Sequence, residues 1–95
     1  MSTDDYTVRG FRITGRVQGV WFRGWTREQA RRLDLAGWVR NQPDGSVAAL
    51  FVGPEAAVAD MLMLCHQGPP SARVVGVSTR PVEPAPDLPG FQVAR

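Results

Sequence analysis

Residues 7–33 read TVRGFRITGRVQGVWFRGWTREQARRL, in which a strand pattern passes through a glycine-containing loop into a helix pattern. From Thr7 to Val17, apolar and polar side chains largely alternate, which is typical of a strand with one buried face. From Phe22 to Leu33, apolar or small residues recur at helical spacing and predict a helix with one buried stripe. The members of that stripe are Phe22, Thr26, Ala30 and Leu33.

The middle of the chain predicts a hairpin and a second helix. Trp38–Arg40 forms a short strand pattern, the turn sequence Pro43-Asp44-Gly45-Ser46 follows it, and the apolar run Val47–Val52 predicts the partner strand. Gly53 as a cap and Pro54 as the first helical residue predict the start of the second helix. Its predicted buried face is Val58, Met61, Leu62 and Cys65, and its predicted end is Gly68-Pro69-Pro70.

The last third of the chain completes the fold. Arg73–Arg80 predicts a strand, residues 81–90 contain four prolines and predict a loop, and Phe91–Val93 predicts a short edge strand. The resulting order predicts an α+β protein, a ferredoxin-like split βαββαβ sandwich whose antiparallel sheet carries both helices on one face. A chain of 95 residues suits one core, so we expect a single domain over residues 1–95.

Composition indicates the class of protein and the cellular compartment. Apolar residues make up 43% of the chain, as in globular proteins, and the longest apolar run, residues 47–52, is too short to cross a membrane. The acidic, polar start of the chain does not resemble a signal peptide, and Cys65, the single cysteine, cannot form an internal disulfide. We therefore expect a soluble, cytoplasmic protein.

The charged residues limit the partners. A formal charge of +2 is too small to indicate a polyanion partner by itself. All 11 basic residues are arginines, so a phosphate site in this chain would use a guanidinium, which can donate two hydrogen bonds to two phosphate oxygens.

The loop before the first helix is a candidate anion site. Helix-start N–H groups have no partners, and Gly15 and Gly19 permit conformations in which successive N–H groups converge on an anion. Arg23 lies on the first turn, where its charge is unfavourable by about 0.3–1 kcal/mol unless a bound anion offsets it. Many strand–glycine–helix turns bind nothing, so this pattern alone leaves both interpretations open.

Two longer stretches resemble the signatures of the acylphosphatase family. Residues 15–23, GRVQGVWFR, are similar to Gly-x-Val-Gln-Gly-Val-x-Phe/Tyr-Arg, and residues 37–47, GWVRNQPDGSV, are similar to Gly-Trp-Val-x-Asn-x-x-Asp-Gly-x-Val. Residues 68–74, GPPSARV, also resemble the family's segment after the second helix. The resemblance covers nearly the whole chain in order, and the family's fold is the one predicted above.

The resemblance implies an enzyme that hydrolyses small acyl phosphates. It implies that Arg23 binds the phosphoryl group, that Asn41 orients the attacking water, and that backbone amides cradle the phosphate. The implied cradle residues are Gln18, Gly19, Val20, Trp21 and Phe22. No metal or cofactor is expected, since the sequence shows no His, Asp, Glu or Cys cluster with metal-ligand spacing.

Several residues are open to more than one interpretation. Asp34 stands where the family usually has glycine, and we expect a modest stability cost there. Trp21 either covers the edge of the core or walls the anion site, whereas Trp25 and Trp38 are expected to pack. The basic residues on the first helix, Arg27, Arg31 and Arg32, are expected to form a solvated face.

Two rival functions share the predicted fold or loop. RNA-recognition domains have the same element order but stack bases on open-face aromatics, and the candidate outward positions on two strands have none. These positions are Arg12, Thr14, Ala48, Leu50 and Val52. A non-catalytic phosphate-sensing domain is the second rival. We therefore expect no nucleic-acid partner and a monomer, although Ala48, Leu50 and Val52 form an apolar strip that suggests self-association as an alternative hypothesis.

Overall fold

The computed structural model describes residues 6–82 and 90–94. Within these residues the chain forms five strands and two helices in the predicted order. They are β1 (Tyr6–Arg16), α1 (Phe22–Arg32), β2 (Ala36–Asn41), β3 (Val47–Pro54), α2 (Glu55–Gln67), β4 (Arg73–Pro81) and β5 (Phe91–Val93). The loop predicted over residues 81–90 falls mostly on residues 83–89, which lie outside the described residues.

The sheet has the order β4-β1-β3-β2-β5, and its pairings are antiparallel except for β5, which runs parallel to β2. The predicted ferredoxin-like fold is confirmed, and β1 to β4 form the predicted antiparallel sheet; the short β5 adds one parallel pairing, so the five-stranded sheet is mixed. β4 and β5 occupy opposite edges of the sheet. β2 runs opposite to β4, and so does β5, which is why β5 is parallel to β2. Three residues carry no sequence signal for strand direction, so the pattern around Phe91 could not reveal this.

The core lies between one face of the sheet and both helices. Phe11 and Ile13 of β1 and Phe51 of β3 point to this face and are at most 3% exposed. The predicted stripes of both helices pack against them in one cluster. Its helical members include Phe22 and Ala30 from α1 and Val58, Met61 and Cys65 from α2. The alternation of β1 and β3 and the helical spacing thus predicted the same interior.

Aromatic packing attaches β5 to this core. The Phe91 and Phe51 rings stack with centroids 5.3 Å apart, and Phe11 meets Phe51 edge-on at 4.6 Å. Two backbone hydrogen bonds join the ends of β5 to β2, from Gly37 N–H to the Gly90 carbonyl and from Ala94 N–H to the Val39 carbonyl. The predicted short edge strand is confirmed at Phe91–Val93.

The start of α2 differs from the prediction by one residue. Pro54, expected to be the first helical residue, precedes the helix with φ −57° and ψ 140° and still pairs with Tyr6. The fixed φ of proline is compatible with both a strand end and a helix start, so the ψ angle determines whether Pro54 belongs to the strand or to the helix. Here ψ has an extended value, and Pro54 belongs to the strand. Glu55 is the first helical residue, and Gly68 ends the helix as predicted.

The opposite face of the sheet carries a groove of about 650 Å³. Ala48 and Leu50 line it as predicted, but Leu50 is only 6% exposed, so the apolar strip is smaller than the sequence implied. Trp38 also lines the groove, next to Leu50 across the β2–β3 pair, and the Arg40 guanidinium lies 4.8 Å from its ring centroid. The open face of the sheet therefore carries an aromatic side chain from β2, whereas the outward positions predicted on β1 and β3 contain none. Among the described residues, no helix is long and apolar enough to span a membrane.

Candidate active site

The end of β1 and the loop between β1 and α1 together contain three residues with positive φ. Gly15 lies at φ 121°, where β1 shifts register against β4, and a Cβ there would clash with the Arg73 carbonyl oxygen. Gly19 has φ 76°, and Trp21, immediately before α1, has φ 65°. Val17 anchors the loop in the core at 1% exposure. The loop thus needs left-handed conformations at two positions within three residues, and only one of them is a glycine.

The backbone amides of this loop are free to bind a ligand. Within the described residues, no backbone N–H group of residues 18–22 donates a hydrogen bond to another backbone group. The first turn of α1 contains no acidic residue, and no side chain caps it. Unpaired N–H groups at the positive end of a helix dipole are the arrangement that binds phosphate at helix N-termini.

A pocket of about 320 Å³ beside this loop brings together Arg23, from the first turn of α1, and Asn41, from the end of β2. Of the predicted cradle residues, Gly19, Trp21 and Phe22 line it, and Gln18 and Val20 do not. Val20 packs partly against the core. The implied role of Gln18 and Val20 concerned their backbone amides and stays a prediction. The other lining residues are Val17, Gly24, Arg27 and Val93.

Asn41 presents an unpaired acceptor. It is half-buried and pairs with Val47 at the end of the hairpin, and its Oδ1 atom is buried without a hydrogen-bond partner among the described residues. An unsatisfied buried carbonyl oxygen costs about 1–3 kcal/mol and calls for an explanation. Because Asn41 lines the pocket, a rotation of its side chain would turn this oxygen toward a water molecule bound there.

The Gln18 side chain ties the loop between β1 and α1 to the β2–β3 turn. Its Nε2 donates to the Gln42 carbonyl at 2.8 Å and to the Ser46 carbonyl at 2.9 Å. Gln42 directly follows Asn41, so these bonds connect the loop that carries the amides to the strand end that carries the carboxamide. This side-chain role was missed, because nothing in the local pattern indicates a partner 24 or 28 residues away.

Asp44 organises the same turn from outside the pocket. Its Oδ1 accepts hydrogen bonds from the Ser46 hydroxyl at 2.6 Å and from the Ser46 N–H at 2.9 Å, and its Oδ2 pairs with Arg12. These bonds, those from Ser46 first, lower the pKa of Asp44 to about 2. The carboxylate thus stays ionised and holds the turn that follows Asn41.

Trp21, for which two roles were open, walls the site. Its side chain is 59% exposed, lines the pocket and is not part of the core cluster. Its indole lies against Gly24, where a Cβ would clash with the indole Nε1, Cε2 and Cδ1 atoms. Gly24 therefore lets a large side chain lie flat on the first turn of α1, a dependence that the sequence pattern did not reveal.

Arg27 also lines the pocket, so it is less solvated than the other two arginines of the predicted solvated face. It is half-buried, whereas Arg31 and Arg32 are exposed as predicted. The available signal was spacing: Arg27 follows Arg23 by four residues, which places both on one side of the helix.

Other reactive side chains lie away from the pocket. Cys65 is buried in α2, and burial raises the pKa of its thiol to about 12, so it is a core residue as predicted. Across residues 6–82 and 90–94, no three His, Cys, Asp or Glu side chains are grouped closely enough to hold a metal ion.

Comparison with known sequences gives one family. The sequence model of the acylphosphatase family matches residues 9–93. A protein named acylphosphatase from Rhodospirillum rubrum is 65% identical over 80 residues, which cover 84% of this chain and 87% of that protein. Another from Rhizobium meliloti is 52% identical over 93 residues, 98% of each chain.

Solved structures agree with the sequence comparison. An acylphosphatase from Coxiella burnetii superposes with a TM-score of 0.92 at 30% identity, over 99% of this chain and all of the other. Acylphosphatase from Bacillus subtilis gives a TM-score of 0.89 at 32% identity, over 93% of this chain and 98% of the other. The similarity extends over the strands, both helices and the loop that precedes α1.

Proposed function

The chain belongs to the acylphosphatase family, and from that premise we propose how it hydrolyses small acyl phosphates to a carboxylate and inorganic phosphate. Arg23 and the backbone amides of Gln18 to Phe22 bind the phosphoryl oxygens, and Asn41 orients the attacking water. The observation that carries this proposal is that Asn41, whose buried Oδ1 has no hydrogen-bond partner among the described residues, lines the same pocket as Arg23.

The phosphoryl group needs charge stabilisation, which the start of α1 supplies. The planar guanidinium of Arg23 can donate two hydrogen bonds to two phosphoryl oxygens, and the free N–H groups of the loop add further donors. Charge spreads over these oxygens in the transition state, so fixed donors lower the barrier. The unfavourable position of the Arg23 charge at a helix N-terminus is offset once a phosphate occupies it.

The water needs alignment, which Asn41 supplies. The unpaired Oδ1 accepts a hydrogen bond from the water and turns the lone pair of the water oxygen toward phosphorus. The new O–P bond forms as the bond from phosphorus to the acyl oxygen breaks, and the electron pair of that bond leaves on the carboxylate. A carboxylate has a conjugate-acid pKa of about 4, so its departure requires no general acid, and the water's proton passes to solvent.

The open face gives limited support to the nucleic-acid rival. Trp38 is the one aromatic on that face that lines the groove, and the Arg40 guanidinium already lies beside its ring. RNA-recognition domains stack two or three bases on neighbouring aromatics, which this groove does not offer.

We also propose that residues 1–95 form one domain, that the protein is a monomer, and that it is cytoplasmic. The family match over residues 9–93 supports one domain. The single, buried cysteine suits a reducing compartment, where disulfides are rare.

The experiment measures hydrolysis of benzoyl phosphate in EDTA by the wild type, Asn41→Ala and Gln92→Ala. We expect metal-independent turnover, competitive inhibition by inorganic phosphate, and a loss of roughly 10²-fold or more in kcat for Asn41→Ala. Inhibition by phosphate should persist in Asn41→Ala, because that variant keeps Arg23 and the amides. Gln92→Ala removes an exposed carboxamide on β5 and should behave as wild type.

Each part of the proposal has an outcome that contradicts it. Normal turnover by Asn41→Ala would remove the role of the carboxamide. Activity that disappears in EDTA would contradict the metal-free scheme, and failure of the wild type to hydrolyse any acyl phosphate would contradict the function.

A further inference from the structure

The groove on the open face of the sheet is a second concave site, separate from the pocket at the start of α1. Its volume of about 650 Å³ lies within the range of about 300–1,000 Å³ that is usual for small-molecule sites. Among the described residues, none lines both the groove and the pocket. A ligand in the groove would therefore occupy a surface to which the proposed hydrolysis assigns no role.

The β1 side of the groove is cationic. Gly10 has no side chain, and a Cβ placed there would lie 3.5 Å from both the Cγ and the Nε atoms of Arg80. The side chain of Arg80, from the edge strand β4, thus lies over Gly10. Arg12 follows Gly10 by two residues on β1, so it projects from the same face about 7 Å further along the strand. Two arginine side chains therefore lie on this side of the groove.

The β2 side of the groove offers a planar surface. Trp38 is half-buried, and the Arg40 guanidinium lies 4.8 Å from its ring centroid. Planar rings stack on aromatic faces and on guanidinium planes. The floor between the two sides comes from β3, whose Leu50 and Ala48 pair with Trp38 and Arg40 respectively. Only β3 separates β1 from β2, so the cationic and planar sides lie about 10 Å apart.

The charge of the groove favours an anionic ligand. Its charged lining residues are three arginines and one aspartate, Asp44, which leaves an excess of two positive charges. Within residues 6–82 and 90–94, Asp44 pairs with Arg12, and neither Arg40 nor Arg80 forms a salt bridge. A second copy of this chain would bring the same positive charge against the groove, and such like-charge contacts are unfavourable. The groove therefore suits a small ligand with more than one negative charge.

We propose that the groove binds a nucleoside diphosphate, which has a planar base at one end and two linked phosphate groups at the other. The base stacks on Trp38 and the Arg40 guanidinium, and the phosphate oxygens accept hydrogen bonds from Arg12 and Arg80. Arg12 can bind phosphate and Asp44 together, because a guanidinium has five N–H donors. RNA fits less well, since Trp38 is the one aromatic among the described residues of this face that lines the groove, and successive bases need several.

The test is calorimetric titration of ADP, in EDTA and at fixed ionic strength, into the wild type and five variants. Arg80→Gln and Trp38→Leu each remove one of the proposed contacts, and Ala48→Leu fills the floor without changing the charge. Arg73→Gln is the matched control, since Arg73 is an exposed arginine of β4 that does not line the groove. Arg23→Gln distinguishes the groove from the pocket at the start of α1.

We expect the wild type to bind one ADP per chain. Arg80→Gln should lower the affinity about tenfold through the loss of a hydrogen bond to a charged group, and Trp38→Leu about tenfold through the loss of base stacking. Ala48→Leu should weaken binding about as much, whereas Arg73→Gln and Arg23→Gln should bind ADP as the wild type does. Circular dichroism of each variant controls for folding.

Several results would overturn the site. These are the absence of saturable ADP binding to the wild type, an unchanged affinity in both Arg80→Gln and Ala48→Leu, and the loss of binding in Arg23→Gln, which would place ADP in the other pocket. Pyrophosphate that binds as tightly as ADP would show that the planar side contributes nothing. Single-stranded tetra-adenylate RNA that binds tenfold more tightly than ADP would assign the face to nucleic acid. Hydrolysis of benzoyl phosphate by the wild type is a separate measurement, so the proposed function can fail or hold independently.

Discussion

The two helices of this chain pack on the same core but begin in opposite ways. α2 begins after an extended proline, with Glu55 in its first turn, so a negative charge meets the positive end of the dipole. α1 begins after Trp21 in a left-handed conformation, with Arg23 in its first turn and no acidic residue there. Neither helix has a side-chain cap.

The difference supports the proposal that the start of α1, and not the start of α2, binds an anion. The charge at the start of α2 comes from its own sequence, and nothing further is required. The start of α1 is unfavourable in two respects: Trp21 has a left-handed backbone conformation, and Arg23 places a positive charge at the positive end of the helix dipole. Proteins retain such features mainly at functional sites, where the surrounding structure holds them in place. The pocket that contains Asn41 lies beside the start of α1.

The largest expected effect is on turnover. Arg23→Gln should lower kcat/KM for benzoyl phosphate by about 10³-fold, because it removes the one side-chain cation proposed to hold the phosphoryl oxygens. Glu55→Gln removes a charge in the first turn of the other helix and should leave kcat/KM unchanged. Comparable losses in both variants would show that the effect comes from helix destabilisation and not from phosphate binding.

The next effect is on stability in the presence of phosphate. A ligand that binds only the folded state stabilises it by about 2.7 kcal/mol at about 100 times its Kd, and we expect this gain for the wild type and for Glu55→Gln. Arg23→Gln should lose most of it at the same phosphate concentration. Urea unfolding with and without phosphate, at matched ionic strength, measures the gain, and a full gain in Arg23→Gln would place the anion elsewhere.

The periodicity of apolar residues alone predicted most of the fold. The alternation in β1 and the helical stripes placed Phe11, Ile13 and Met61 in the core, where the structure has them. The direction of β5 was beyond such reasoning, since it depends on how the chain returns to the far edge of the sheet. The start of α2 was also missed by a residue, because φ of Pro54 fits a strand and a helix equally well.

The site residues that were predicted come from local sequence motifs, and those that were missed depend on long-range contacts. Arg23 and Asn41 came from contiguous motifs, and the structure brings both to one pocket. The Gln18 side chain and Arg27 were not found, because their importance depends on a turn more than 20 residues away and on the shape of the pocket. The pattern of β1 and its loop does not report the contacts of Gln18, and the spacing of Arg23 and Arg27 places both on one side of α1 without showing that this side lines a pocket.

A smaller effect concerns the other ends of the two helices. α2 ends at Gly68 with φ 68°, whereas α1 is followed by Asp34 with φ 61°. Asp34 N–H bonds to the Arg31 carbonyl and Leu35 N–H to the Ala30 carbonyl, a closing arrangement in which glycine is preferred at the position of Asp34. The expected cost of an aspartate in the left-handed conformation therefore has a visible cause.

Asp34→Gly should raise the free energy of unfolding by about 0.5–1 kcal/mol, less than the full cost of the strain because glycine also gains freedom in the unfolded chain. Turnover should not change, since Asp34 does not line the pocket. Asp34→Ala is the control, because it removes the charge and keeps the Cβ. A similar gain from Asp34→Ala would assign the effect to charge rather than to backbone strain.

The smallest expected effect is the interaction of each first-turn charge with its helix dipole. In phosphate-free buffer of low ionic strength, Arg23→Gln should stabilise the fold and Glu55→Gln should destabilise it, each by about 0.3–1 kcal/mol. Both changes should shrink in salt, because exposed charges are screened. With phosphate added, the sign for Arg23→Gln should reverse, since the wild type then gains more from the ligand than it loses to the dipole. Equal signs for the two variants in phosphate-free buffer would contradict the electrostatic difference between the helix starts, and urea unfolding of both variants in these three buffers decides it.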